Sequence, residues 1–278
     1  GYDNTASGYT ALQSNTTGYR NIATGREALY NNTTGSLNTA SGNYALFSNT
    51  TGTKNIASGY KALYSNTSGH YNTASGTEAL TSNTTGNENT ATGYFSLKFN
   101  TTGHSNTASG YSALRQSTTA IQNSAFGHLS LFNNTTGTGN TASGYRSLQV
   151  NTTGYSNTAS GFQVLYSNTT GASNVAVGYE ALYGNTSGHN SVAVGRGALK
   201  SQTTTYENTA VGYNAGTTVT NGNNALFGAY AGTSLTSGGT NCFYGWSAGR
   251  LSTTSSSNTA FGYQSLYSNT TGTKNIAL

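Results

Sequence analysis

The sequence has few charged and few hydrophobic residues for its length. Only 6% of its 278 residues are Asp, Glu, Lys or Arg, and 33% are hydrophobic, whereas an ordinary soluble domain has roughly 25% charged and 45–50% apolar residues. A conventional enzyme built around one large core is therefore not expected. Proline is absent and the net charge is only +5, so the composition does not indicate disorder either.

Long hydrophobic runs are absent as well. No stretch approaches the roughly 18 consecutive apolar residues of a membrane-spanning helix, and no signal-like segment stands at the N-terminus. We therefore expect no membrane insertion of this chain. Its eleven Lys and Arg residues form no run or patch, so a nucleic-acid-binding track is not predicted.

Residues that carry chemistry are few and scattered. The six acidic residues lie far apart and are interpreted as solvated surface groups: Asp3, Glu27, Glu78, Glu88, Glu180 and Glu207. His70, His104 and His189 each follow a turn glycine, and without an H-x-H pair an exposed turn position is favoured over a metal site. Cys242 stands alone and is predicted to be a small buried hydrophobe. We expect neither catalysis nor a cofactor.

A period of seventeen residues organises the whole chain. The unit reads N-T-A-S-G-Y-x-A-L-x-S-N-T-T-G-x-x, and residues 4–20 are a nearly perfect copy. Its central glycine recurs without a slip from Gly8 to Gly212 and, after one deletion, at Gly228, Gly245 and Gly262. About sixteen copies fill the sequence, and we expect the pattern to continue past both ends.

This unit predicts an all-β fold, a parallel β-solenoid or β-roll of about sixteen 17-residue coils. Seventeen residues are too few for a two-helix repeat, and Asn, Thr, Ser and Gly are poor helix formers. Asn15 to Gly18 suits a type I β-turn. With a second corner at Gly8, two extended segments are expected in each coil, about residues 4–7 and 9–13.

In stacked coils, equivalent positions form columns along the chain. The most regular column is leucine, predicted to be the buried spine: Leu12, Leu29, Leu46, Leu63, Leu80, Leu97, Leu114, Leu131, Leu148, Leu165, Leu182, Leu199 and Leu266. Columns of small residues, beginning at Ala6 and Ala11, are expected to let another backbone approach. Tyrosines equivalent to Tyr9 and Tyr30 are expected to stack between coils. The columns of Asn4 and Asn15 are expected to form amide ladders.

The repeat changes toward the C-terminus, which suggests three regions. Residues 1–207 form a regular shaft, 208–257 contain variant repeats with an altered cross-section, and 258–278 return to the regular unit. Val175, Val177, Val192, Val194 and Val211 replace Thr and Ser, and we expect them to make the core more apolar there. In the variant region glycine replaces the spine leucine.

The valine-containing copies resemble a known motif. N-V-A-V-G at 174–178 and S-V-A-V-G at 191–195 are similar to the S-V-A-I-G motif of trimeric autotransporter adhesin heads. The N-T-A-x-G-Y-x-A-L units also resemble shaft repeats of phage tail fibres and of bacterial surface fibres that end in an intramolecular chaperone domain. The resemblance implies trimeric β-roll or β-solenoid fibres used for attachment, and it brings no catalytic residue.

Oligomer formation is also expected from the size of the core. One Leu, two Ala and one or two Tyr per coil bury little apolar area. The free energy from this burial does not offset the entropy lost on ordering seventeen residues. Burial against other copies would supply the remainder, most simply in a homotrimer. The predicted function is a structural and adhesive fibre shaft, extracellular, at a cell or virion surface. Its partners are itself and a cell-surface glycan or protein receptor.

Two alternatives remain open at this stage. Thr ladders such as Thr16 and Thr17 also fit a monomeric ice-binding β-solenoid, and the same architecture fits a self-assembling extracellular matrix filament. Trp246 replaces a column tyrosine, either for packing or as a surface on which a sugar stacks.

The turn sequence raises a question of its own, because it matches the N-glycosylation acceptor. The matching residues are Asn15, Asn32, Asn49, Asn66, Asn83, Asn100, Asn134, Asn151, Asn168, Asn185 and Asn269. A structural turn role is favoured for them, because coils about 4.8 Å apart leave no room for a glycan on every turn.

Overall fold

Each coil contributes one three-residue β-strand, formed by the T-A-S part of the repeat. The computed structural model describes residues 1–278, contains no helix, and confirms the predicted parallel β-solenoid of about sixteen coils. The chain forms two compact units, Gly1–Gly139 and Asn140–Leu278. The first unit contains β1 (Thr5–Ser7), β2 (Ile22–Thr24), β3 (Thr39–Ser41), β4 (Ile56–Ser58), β5 (Thr73–Ser75), β6 (Thr90–Thr92), β7 (Thr107–Ser109) and β8 (Ser124–Phe126). The second contains β9 (Thr141–Ser143), β10 (Thr158–Ser160), β11 (Val175–Val177), β12 (Val192–Val194), β13 (Thr209–Val211), β14 (Ala225–Phe227), β15 (Cys242–Tyr244), β16 (Thr259–Phe261) and β17 (Ile276–Ala277).

Within each unit, neighbouring strands pair in parallel at the offset of the repeat. Thr39 pairs with Ile56 in the first unit and Val175 with Val192 in the second. The single deletion appears as an offset of sixteen, with Thr209 opposite Ala225. Identical positions therefore lie above one another, as the predicted columns require.

The second extended segment, expected at 9–13, does not form. In its place the chain turns through residues with left-handed backbone, at Thr10 (φ 50°) and Leu12 (φ 55°) and at the equivalent positions of later coils. This conformation costs roughly 1–2 kcal/mol per non-glycine residue. Bonds between coils hold it in place, for example Leu29 N–H to Ala45 O at 3.0 Å. Because successive side chains no longer alternate, the leucine points inward.

The glycine column equivalent to Gly8 is required by both backbone conformation and space. Gly59 has a φ of 133°, and a Cβ there would lie 2.6 Å from Gly76 O in the next coil. Only glycine combines this φ with so close an approach of two backbones. The corner that the sequence predicts at this position therefore forms.

The second corner is closed by a side chain. Asn49 Nδ2 donates to Gly52 O at 3.1 Å, and Asn38 Nδ2 donates to the same carbonyl at 2.8 Å. The backbone N–H groups of Thr50, Thr51 and Gly52 all point to Thr67 O in the next coil, at 2.9–3.3 Å. The turn is thus fixed by Asn and by the next coil, without a backbone bond across the four residues.

The core combines leucine and alanine with buried amides. All spine leucines from Leu29 to Leu199 are fully buried, whereas Leu12 and Leu266 are partly exposed. In the first coil Ala6 is exposed and Ala11 half-buried, but in the inner coils both small-residue columns are buried inside the chain's own coils, as at Ala40 and Ala45. The expectation that they receive another backbone from outside is therefore wrong: the side chains they face belong to the same chain.

The two asparagine columns form the expected amide ladders. Asn38 Nδ2 donates to Asn21 Oδ1 at 3.2 Å, and Asn49 Nδ2 donates to Asn32 Oδ1 at 2.7 Å. The same bonds repeat along each unit with interruptions, as where Ser117 and Gln202 replace asparagine in the second column, so most buried amides find partners in their own column.

Between 208 and 257 the large and small residues of the core change places between two facing columns. The spine position becomes Gly216, Gly232 and Gly249, while the strand alanine becomes Leu226 and then Phe243, both fully buried. A Cβ on Gly216 would lie 2.6 Å from a methyl group of Leu226. The large side chain thus comes from the strand, and the opposite position has no side chain.

Candidate functional site

The scattered charges form pairs between or within coils. Lys98 Nζ lies 2.6 Å from Glu78 Oε2, and Lys200 Nζ lies 2.6 Å from Glu180 Oε2. No group of three or more His, Cys, Asp or Glu residues lies close enough together to hold a metal ion. The arrangement of these charges is that of a polar surface.

The lone cysteine and the histidines lie on the surface. Cys242 is exposed, on the outer side of β15, so the prediction that it is buried is wrong. Only the central residue of each strand faces inward, and Cys242 is the first residue of its strand. His104 and His189 are exposed and His70 is half-buried. His70 Nδ1 lies 3.0 Å from the backbone nitrogen of Thr53.

The asparagines of the glycosylation pattern point into the coil. From Asn32 to Asn185 all of them are fully buried, and Asn15 and Asn269 are half-buried. Their Nδ2 atoms, where a glycan would attach, donate to the turn carbonyl and to the preceding asparagine, as at Asn66 (3.1 and 2.9 Å). A glycan there would replace one of the two N–H donors and so remove one of these bonds, and it would need space that the core does not have.

The tyrosine column forms stacked rings on the surface. Phe162 lies 5.2 Å from Tyr145 and 5.0 Å from Tyr179, with interplanar angles of 13° and 4°. Trp246 stacks on Tyr263 at 5.1 Å and makes an edge contact with Tyr230 at 6.2 Å. The ring of Trp246 is therefore engaged by its own chain, although 40% of the residue is exposed.

Cations lie against this column. The guanidinium carbon of Arg196 is 5.3 Å from the ring centre of Tyr179, within the range of cation–π attraction. Hydrogen bonding to Tyr60 is the main cause that raises the pKa of Lys61 above its ordinary value. The contact of Arg196 joins neighbouring coils, although Tyr179 remains 44% exposed.

The valines of the second unit lie on the outer side of their strands. Val175 and Val177 are each 39% exposed, while Ala176 between them is fully buried. The expectation that valine makes the core more apolar is therefore wrong, because the flanking residues of each strand face outward. Alternation within the three-residue strand was the signal that would have placed them correctly.

Together these outward positions form what we call the strand-face patch. It consists of Val175, Val177, Val192, Val194, Val211, Phe227, Tyr244 and Phe261. The rings of Tyr244 and Phe261 stack at 4.9 Å. An open depression of about 280 Å³ lies among Val211, Phe227 and Tyr244. The three aromatic members of this patch were not predicted from the sequence.

The threonine ladders are only partly available to solvent. Thr33 Oγ1 donates to Thr50 O in the next coil at 3.0 Å, and the bond recurs at equivalent residues. This column thus hydrogen-bonds its own backbone. The adjacent column, which includes Thr34 and Thr51, remains exposed.

Comparison with known proteins adds no relative. No protein-family model matches the chain, and no curated protein matches it in sequence. The chain also has no helix long and apolar enough to cross a membrane.

Proposed function

We propose that this chain is the shaft of a homotrimeric fibre that is exposed at a cell or virion surface and serves attachment. The observation that carries the proposal is the strand-face patch, an exposed apolar surface on an otherwise polar molecule. Contiguous exposed apolar surface of this kind is typical of protein–protein contact sites.

Charge distribution supports the same conclusion. The chain has eleven basic and six acidic residues, yet none of its seventeen strands contains one. The outward positions of the strands are nevertheless exposed or half-buried. A solvent-facing sheet ordinarily has charged residues, whereas the centre of an interface is depleted of them.

A second copy of this chain is the partner that fits the surface best. Two copies share the same period, so their strands are spaced by the same distance of about 4.8 Å, and contact in one coil can be repeated in the next. Three copies around an axis would bury the strand-face patches together and leave the turns and the tyrosine column outside. The trimer is also what the resemblance to fibre proteins implies.

The proposal is tested by measuring mass in solution. By analytical ultracentrifugation we expect three times the 28.6 kDa of one chain. Val177→Asp combined with Tyr244→Asp should give a monomer with an unchanged circular dichroism spectrum, because a charge in an apolar contact lacks a partner. Thr153→Asp, at an exposed turn, is the matched control and should remain trimeric.

A monomeric unmodified chain would contradict the proposal. If that monomer also showed thermal hysteresis, the exposed threonine column would favour the ice-binding alternative. Lateral growth beyond three chains would favour the matrix filament.

A further inference from the structure

The column that follows the turn glycine contains rings that stack between coils. Tyr2 and Tyr19 lie 5.0 Å apart at an interplanar angle of 6°, and His189 and Tyr206 lie 5.3 Å apart at 11°. Tyr155, Ala172, His189 and Tyr206 are successive members of this column in the second unit. Ala172 is the one alanine in the column, and it stands between two rings.

An open slot therefore lies over Ala172. It has a volume of about 310 Å³ and is lined by Tyr155, Thr170, Ala172, Ser173, Ser187, His189 and Asn190. Ala172 is nearly buried and lies at its floor, while Tyr155 is 55% exposed at one end. Because Tyr206 covers one face of the His189 ring, the opposite face is directed toward the Ala172 coil.

The spacing of the slot suits one inserted ring. Tyr155 and His189 belong to coils two steps apart, which places them roughly 10 Å from each other at about 4.8 Å per coil. A ring at the centre would lie about 5 Å from each neighbour, the separation already found in the stacks of this column. The volume is at the lower end of the range for ligand pockets, which indicates a single ring.

The lining also indicates the chemistry of that ring. Thr170, Ser173, Ser187 and Asn190 supply hydroxyl and amide groups that both donate and accept hydrogen bonds, and no Asp, Glu, Lys or Arg lines the slot. A neutral ring with apolar faces and a hydroxylated edge matches both features. A purely apolar aromatic ring would make no hydrogen bond to these groups.

We infer that this slot binds a single pyranose residue of a glycan, held between Tyr155 and His189. The inference deepens the attachment role and rests on the proposed function for its biological meaning. A methyl pyranoside has few atoms, so a Kd on the order of 1 mM is expected for one slot. A homotrimer presents three slots, and multivalent binding to a glycan surface would then be tighter by avidity.

The experiment uses the full chain and a panel of free methyl pyranosides of the gluco, galacto, manno and N-acetylglucosamine series. Binding is measured by saturation-transfer NMR and titration. Ala172→Tyr fills the slot with a ring and should weaken binding at least tenfold. Thr273→Tyr adds a ring at an exposed position of the same column outside the slot, and this control should bind within twofold of the unmodified chain. Tyr155→Ala changes only an exposed side chain and should also weaken binding tenfold.

Each outcome decides the inference. No binding of any pyranoside, or binding that Ala172→Tyr and Tyr155→Ala leave unchanged, overturns it. Preferential binding of N-acetyltyrosinamide also overturns it and assigns the slot to an aromatic side chain of a protein partner. A trimer that binds no pyranoside contradicts the pyranose site alone. A monomer that binds a pyranoside contradicts only the proposal of a homotrimeric fibre.

Discussion

The interruption of one amide ladder at Ser117 provides a quantitative test of how the turn is built. Asn83, Asn100 and their predecessors donate along the column at 2.7–2.9 Å. Ser117 takes the next position, and both its hydroxyl and Asn100 Oδ1 are buried without a hydrogen-bond partner. Restoring asparagine would supply two bonds, to Asn100 Oδ1 and to Ala120 O.

The same turn contains a second exception, because Ala120 replaces the turn glycine. At the equivalent Gly103, an added Cβ would overlap Asn100 Oδ1 and the carbonyl of the next coil. Ser117 stands at the position equivalent to Asn100. Because serine lacks the side-chain amide oxygen, it makes room for the methyl group of Ala120. The two substitutions are therefore expected to compensate each other, so Ser117→Asn alone should destabilise the coil by about 2 kcal/mol through overpacking.

The double variant Ser117→Asn with Ala120→Gly should be more stable than the unmodified chain. Two bonds and a satisfied buried acceptor contribute about 3 kcal/mol, and replacing a buried alanine by glycine costs about 1.5–2 kcal/mol through backbone freedom and the lost methyl group. The net gain is about 1 kcal/mol. Ala120→Gly alone has only the cost of about 1.5–2 kcal/mol. Because Ser117→Asn alone costs about 2 kcal/mol and the double variant gains about 1, the coupling energy should be about 5 kcal/mol.

The assay is a double-mutant cycle, measured by chemical denaturation and by amide hydrogen exchange in peptides that span 112–125. Hydrogen exchange is needed because stability in a repeat protein is local to a coil and its neighbours. Additive effects, or a Ser117→Asn variant as stable as the double variant, would refute the steric argument.

Three further changes test other columns. Asn72→Asp should lower the free energy of unfolding by about 3–5 kcal/mol, because its carboxylate would face two acceptors. Stability should recover at low pH as the carboxyl gains a proton. Asn223→Asp, on the surface, is the control in the same pH series. Gln163→Gly, at a φ of 51°, should stabilise the chain by about 1 kcal/mol in urea denaturation, and a similar gain with Gln163→Ala would contradict the backbone explanation. Gly249→Ala should lower the thermal midpoint through its left-handed φ of 57° and through overlap with the Phe243 ring, at a total cost of about 2–5 kcal/mol. Phe243→Leu in the same chain should restore only the part that is due to overlap.

The period predicted the fold because it fixes which residues lie above one another. From that fact alone, the amide ladders of Asn21 and Asn38 and the stacking of Tyr166 on Tyr183 could be expected, and both are present. The sequence also contained the information needed to find the slot, since Ala172 stands between Tyr155 and His189 in the same column.

What the sequence did not reveal was the direction of the side chains. Non-glycine residues such as Lys61 and Leu63 have a left-handed backbone, which their residue types disfavour. Residue propensities therefore do not predict it. The bonds between coils impose it, and they exist only in the folded stack. The valines of β11 differ from expectation for a simpler reason: they are apolar, but alternation around the buried Ala176 directs them outward.

The mixed core has a thermal consequence. Unfolding would expose columns of asparagine amides together with leucine and alanine. Hydration of apolar groups raises the heat capacity and hydration of polar groups lowers it, so the two contributions partly cancel here. The free energy of unfolding should then curve only weakly with temperature. A chain of this kind would keep its structure over a wide range from cold to heat without needing a large maximum stability.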